Sequence, residues 1–264
     1  MFKLFSKNSN IDCPINLQAR LWMENAFLWL ATQFGHENIK KKKMLFPIQE
    51  CFPIKYDGSK DSLFKTAEIV ANQMEIDIDN VNLDTYKENI HEFEGGFGQR
   101  IFTQLDKDSP EKLSGGVYFG KNENGKYDVF IEENNLKDSE ALVAALSHEF
   151  SHIKILGEQR INFNDELLTD LTTVVFGLGI FNSNCSFREV RTFDAYGHNS
   201  LGYMKQQEWG YALALYALFR EENKPHWIKY LTKNIRSDFK KSERYIAANL
   251  EKIFWEDIDG KKIE

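Results

Sequence analysis

Hydrophobic positions recur along most of the chain at the three-and-four spacing of helices packed on a core, with short stretches of two-residue alternation between them. Leu17, Leu21, Leu28 and Ala31 share one helical face with Trp22 and Trp29 beside it, in a segment running from Pro14, a good first helical residue, to Gly35. Pro47, Pro53 and Asp57-Gly58 punctuate an irregular connection. Leu63, Ala67, Val70, Ala71 and Met74 then predict a helix over about 60–74. Val81 to Tyr86 alternates as a strand does. Val117-Tyr118-Phe119 and Tyr127-Asp128-Val129-Phe130-Ile131 are two further strands, joined across Asn124-Gly125, the strongest short hairpin signal in the sequence. Helical spacing returns with Leu142, Leu146, Phe150 and Ile153. Asp138 or Ser139 is the N-cap, Glu140 adds charge to the first turn, and Gly157 stands where a left-handed residue ends a helix, giving a span of about 139–156.

A following helix opens with Asn164 as its cap and buries Leu167, Leu168, Leu171, Val174 and Val175. Asn182 to Leu201 is polar and reads as a surface loop long enough to be functional and to cover a site. Met204 to Arg220 is helical, with Trp209, Leu213, Tyr216 and Ala217 on one side; a short helix starts at Pro225 and a longer one covers about 234–254. The elements describe an α+β chain in which a hairpin of a small sheet leads into a helix, with mainly helical amino- and carboxy-terminal regions. The glycines of Glu94-Gly95-Gly96-Phe97-Gly98 are followed by no Gly-Lys-Ser/Thr and open no clear helix, so they read as a turn rather than a nucleotide loop. They set the expected boundary between an amino-terminal region, 1–95, and a catalytic domain, 96–264.

At 264 residues and 42% hydrophobic, the chain can bury a sizeable core. A net charge of -7 argues against general nucleic-acid binding, and Lys40 to Lys43 reads as a solvated helix end. No run of apolar residues is long enough to span a membrane. The segment from Met1 to Lys7 lacks the apolar stretch and cleavage site of a secretory signal, from which cytoplasmic residence is expected. Cys13, Cys51 and Cys185 are odd in number and widely spaced, which favours reduced, mostly buried thiols.

The chemistry lies in Ser147-His148-Glu149-Phe150-Ser151-His152. Two imidazoles four residues apart on a helix share a face and can reach one zinc ion, while Glu149 points beside it toward water. Ala141 and Ala145 continue the histidine face with small residues, which lets another element approach the metal. A third ligand is still needed. The extended pattern that adds a turn glycine and a third histidine is absent, since Ile155 and Glu158 occupy those positions. A carboxylate from the following helix is the other route. Glu166 and Asp170 lie one turn apart on one face, so the candidates are Glu166 with Asp170 or Asp165 as substitutes; Asp165 ranks last because it is turned about 100° away. An acidic pair at that spacing is otherwise an ordinary solvated face.

His-Glu-x-x-His followed by Glu-x-x-x-Asp on the next helix resembles the gluzincin group of zinc metallopeptidases, over about residues 138–180. The resemblance implies a zincin-like fold, zinc held by His148, His152 and Glu166, Glu149 as general base, and Asp170 as the carboxylate that orients a ligand histidine. It also implies that a strand with an open edge near the metal could hold an extended peptide. Thr169-Asp170-Leu171, Gly177-Leu178-Gly179-Ile180-Phe181, Gly202-Tyr203 and Gly210-Tyr211-Ala212-Leu213-Ala214 are similar to a group of uncharacterised bacterial proteins with this motif, which implies no substrate. The expected activity is zinc-dependent hydrolysis of a peptide or protein substrate, without nucleic-acid or membrane partners. Tyr203, His198 and Tyr211 are candidates to stabilise the oxyanion, because they follow the ligand helix and can donate a hydrogen bond. The alternative is a non-catalytic zinc-containing module, binding or regulatory, that keeps the fold.

Overall fold

The computed structural model describes residues 11–87, 115–186 and 202–254, together with the backbone of four strands within 91–103 and 188–199. Helix α1 (Leu17–Phe34) begins after Asn16 rather than at Pro14, because the Asn16 side chain accepts the Ala19 N–H at 2.8 Å and satisfies an otherwise unpaired first-turn donor. Gly35, at φ 86°, turns the chain into the short α2 (His36–Lys41). Helix α3 (Lys60–Gln73) is capped by Ser59. Strand β1 (Val81–Tyr86) follows, then the antiparallel pair β2 (His91–Gly95) and β3 (Gln99–Thr103). Gly95 pairs with Gln99, so the glycine-rich stretch closes a hairpin, with residues 96–98 themselves outside the described set.

Strands β4 (Gly116–Lys121) and β5 (Tyr127–Glu132) form the predicted hairpin, with Gly125 at φ 75° in its turn. The sheet order is β1-β5-β4, with β1 parallel and β4 antiparallel to β5. Among the described residues β4 is an edge strand, and an irregularity between Tyr118 and Gly120 bends it. Helix α4 (Ser139–His152) follows directly, Asp138 accepting the N–H groups of Glu140 and Ala141.

Helix α4 is the centre of the molecule. It packs on α3 and the β4–β5 hairpin, and on α5 (Glu166–Val175) and α6 (Gly179–Cys185). Leu142, Leu146 and Phe150 are completely buried, and of its fourteen residues only Ser139, Glu140 and His148 escape full burial. Its charged residues therefore sit inside the protein, where ionisable groups persist only with partners. Beyond α6 come β6 (Arg188–Thr192) and β7 (Ala195–Asn199), an antiparallel pair, then α7 (Gln206–Phe219) and α8 (Lys233–Ala248), which pack on each other. Helix α1 lies against α5 and α7, so one continuous core runs from α1 to α8.

The architecture is α+β as expected, with differences at several element ends. Helix α4 does not continue to 156; after His152 the chain widens into a π-helical turn, Ile153–Gly157. Gly157 is not left-handed. A Cβ there would lie 2.7 Å from Tyr127 Cε1 and 2.9 Å from Tyr118 Oη, so glycine permits a close approach, and Gln159 takes the positive φ of 58°. Of the stretch from Asn182 to Leu201 expected as a surface loop, the part to Ser186 is not one; the side chains beyond it lie outside the described residues. Asn182, Ser183, Asn184 and Ser186 are buried in and just after α6, and Asn182 donates to Ala144 O at 3.0 Å while accepting the Ser147 hydroxyl at 2.9 Å. Helix α8 ends at Ala248 rather than near 254. Cys51 and Cys185 are buried, Cys13 is partly so, and none of the three is in a disulfide. No described helix is long and apolar enough to cross a membrane.

Candidate metal centre

Helices α4 and α5 bring three donors to one point. His148 Nε2 lies 3.1 Å from Glu166 Oε2, and His152 Nε2 lies 3.5 Å from the same oxygen. The three donor atoms are all within 4.8 Å of one another. A tetrahedral ion bound at roughly 2.0–2.1 Å sets neighbouring donors roughly 3.3 Å apart, close to the two distances from Glu166 Oε2 to the imidazoles. The two imidazole planes are 83° apart.

Each donor is held from behind. His148 Nδ1 donates to Asp170 Oδ1 at 3.0 Å, which fixes the tautomer and leaves Nε2 to face the ion. Asp170 is 0% exposed, and its other oxygen accepts the Tyr203 N–H at 2.6 Å and the Met204 N–H at 2.8 Å. His152 is backed by a neutral group instead. Its Nδ1 is 3.4 Å from Thr169 Oγ1, whose own proton goes to Asp165 O at 2.9 Å, so the hydroxyl presents a lone pair to the Nδ1–H. Asn164 is not the cap of α5; its amide donates to Glu166 Oε1 at 2.7 Å and turns Oε2 toward the histidines. The cap is Asp165, which accepts the Leu168 N–H at 3.0 Å and so has a structural task of its own.

Two tyrosine rings stack on the imidazoles. Tyr118, from β4, lies over His152 with centroids 5.8 Å apart and planes 9° apart; Tyr203 lies over His148 at 5.9 Å and 23°. Tyr203 is 46% exposed, so one side of the site reaches solvent. Glu149 is 3% exposed and is not among the clustered donors; it sits against the backbone of β4 at Gly116.

The charge states of the metal-free site follow from these contacts. Burial pulls His148 down, but the carboxylates of Asp170 and Glu166 on its two nitrogens outweigh it and raise the imidazole to about 10. Burial, with the His148 charge beside it, lowers His152 to about 4. Burial pushes the Glu149 carboxyl up to about 7. Glu166 is raised by burial but held below its ordinary value by the His148 hydrogen bond and the charge of both imidazoles. Ionisable groups pushed far from their ordinary values by burial and by each other's charge cluster at functional sites.

The structure thus brings His148, His152, Glu166, Glu149, Asp170 and Tyr203 together. His198 falls in β7, opposite Glu189, and its side chain lies outside the described residues. Tyr211 is fully buried in α7, where its hydroxyl donates to Glu24 Oε1 at 2.6 Å. Gly116 and Tyr118 belong to the site without any motif that marks them, while Thr169, Asn164 and Gly202, which fall in stretches singled out in the sequence, take roles there that the sequence did not assign. Scans of family models and searches of curated proteins and solved structures find no match to this chain.

Proposed function

We propose that the protein is a zinc-dependent hydrolase that cleaves peptide bonds. The observation that carries this is the convergence of His148 Nε2, His152 Nε2 and Glu166 Oε2 within 4.8 Å of one another beside a buried carboxyl, Glu149, that is not one of the donors. Zinc bound there would supply a Lewis acid that polarises a carbonyl and makes water acidic near neutral pH. Glu149 takes the proton of the attacking water and returns it to the leaving amine. Burial beside the donors puts its carboxyl where it can exchange a proton with a water at the cluster.

A peptide substrate is supported by the sheet. Strand β4 has β5 on one side and no described strand on the other, and it carries both Gly116 and Tyr118 against α4. An extended chain added to that free edge lies alongside the donors. Tyr203 is the favoured hydrogen-bond donor to the oxyanion, being stacked on His148 and part-exposed, with His198 as the second candidate.

The test is cleavage of a mixed peptide library by zinc-loaded protein, read by mass spectrometry beside Glu149→Gln. The parent should cut, and the variant should keep its zinc while cutting at least about a hundredfold more slowly. Zinc retained by a parent that cleaves nothing would instead mark a non-catalytic zinc-containing module.

A further inference from the structure

Asp170 uses both of its oxygens, one for the His148 Nδ1–H and one for the backbone N–H groups of Tyr203 and Met204. Gly202 precedes that pair at φ 90°, and a Cβ there would stand 3.1 Å from each carboxylate oxygen. The Tyr203 ring lies in turn on His148. Carboxylate, imidazole, phenol ring and turn backbone form a closed circuit.

We propose that Asp170 and Gly202 are positioning residues for Tyr203, and that through them zinc occupancy and docking of the 202–204 turn are coupled. The inference rests on the metal site proposed above. A buried carboxylate with two amide donors on one oxygen has a single orientation. Undocking the turn leaves that oxygen unsatisfied in the interior and frees the carboxylate to rotate away from His148. Loss of such a partner behind a ligand histidine weakens metal binding by about 10–100-fold. In the other direction, an ion shared with His152 and Glu166 holds the His148 ring in one place, and its Nδ1–H then pins Asp170 beneath the turn. Coupling of this kind is reciprocal: the turn strengthens zinc binding by the same factor by which zinc strengthens docking of the turn. Gly202 matters because a larger side chain there, at φ 90°, strains the turn and crowds the Asp170 carboxylate.

The experiment measures zinc affinity by chelator competition and amide hydrogen exchange, in the parent and in Gly202→Val. Gly202→Val should bind zinc at least about tenfold more weakly, the low end for a lost outer partner, with its helical circular dichroism retained. In the parent, zinc should slow exchange at the Tyr203 and Met204 amides well beyond any slowing at Phe239 and Ile246 of α8, which report global stability. This second measurement needs no variant and decides the matter if Gly202→Val does not fold. Equal affinities, or slowing at the turn no greater than in α8, would overturn the coupling while leaving a zinc-binding parent intact. A parent that binds no zinc would remove the metal site itself and the coupling with it.

Discussion

Glu149 rests on Gly116: a methyl group in place of the strand's hydrogen would come within 2.7 Å of the Glu149 Cγ and 3.0 Å of its Oε1. The edge strand and the proposed base are therefore in direct contact, and the base owes its position to a side chain that is absent. Gly116→Ala has nowhere to put its methyl without moving the carboxyl, since Phe130 O is also 3.0 Å away. Turnover should fall by about a hundredfold, the scale expected for a displacement near 1 Å, with zinc affinity close to the parent's. Parental turnover would show that the strand does not set the base. A joint loss of zinc and turnover would show that it holds the donors instead.

Glu166 and its neighbour Asp165 should separate cleanly. Glu166→Ala removes a donor and should weaken zinc binding more than about a hundredfold, beyond the range for an outer partner. Asp165→Ala removes the cap of α5 and should lower stability by about 1 kcal/mol while leaving zinc affinity far less affected. Zinc competition titrations and thermal melts of the two variants read both quantities. Equal losses of affinity would transfer the ligand role.

Protons and metal compete for His148. With its imidazole raised to about 10 in the metal-free protein, Nε2 carries a proton at neutral pH that an ion must displace. Zinc affinity measured at pH 6, 7 and 8 should climb at least about tenfold per unit, for one proton released per ion. The stability of the metal-free form runs the opposite way. A folded value above the ordinary 6.5 stabilises fully below pH 6.5 and is lost as pH rises toward 10. Glu149, raised from 4.5 to about 7, loses its contribution in the same direction at lower pH. His152, lowered to about 4, opposes both, but only below pH 6.5. From pH 6.5 to 8, then, the gap in Tm between zinc-loaded and metal-free protein should widen. A constant gap together with pH-independent affinity would mean that no proton sits on Nε2.

Tyr203→Phe keeps the ring on His148 and removes the hydroxyl. If that hydroxyl steadies the oxyanion, kcat should fall by about a hundredfold at unchanged zinc affinity. An unchanged kcat would pass the role to His198, with His198→Ala the variant to measure.

What could be read in advance followed from local rules. His148 and His152 lie about one helical turn apart, as do Glu166 and Asp170, so helical periodicity alone puts each pair on a face, with Glu149 turned beside the first. The partners that come from elsewhere in the chain were not legible. Thr169 acts on His152 only because α5 crosses α4 at that level, and Gly116 and Gly202 act through what they lack. The end of α4 was misjudged because tertiary contacts decide it: Tyr118 and Tyr127 crowd Gly157, and Arg160 reaches back to Lys154 O at 3.1 Å. Polar Asn182 to Ser186 looked solvated, yet α6 turns those groups onto α4 and neighbouring backbone, where they are paired. Polarity predicts exposure only when no partner waits inside.

The two pairings of β5 enclose very different lengths of chain. Asn82 bonds Asp128 across 46 residues, so β1 and β5 meet only when a long stretch has been drawn into a loop. The β4–β5 hairpin is local, and α4, which starts seven residues beyond β5, receives Gly116 and Tyr118 from it. The wall beside the histidines is thus built from chain next to them in sequence, and the long closure falls on the opposite edge of the sheet.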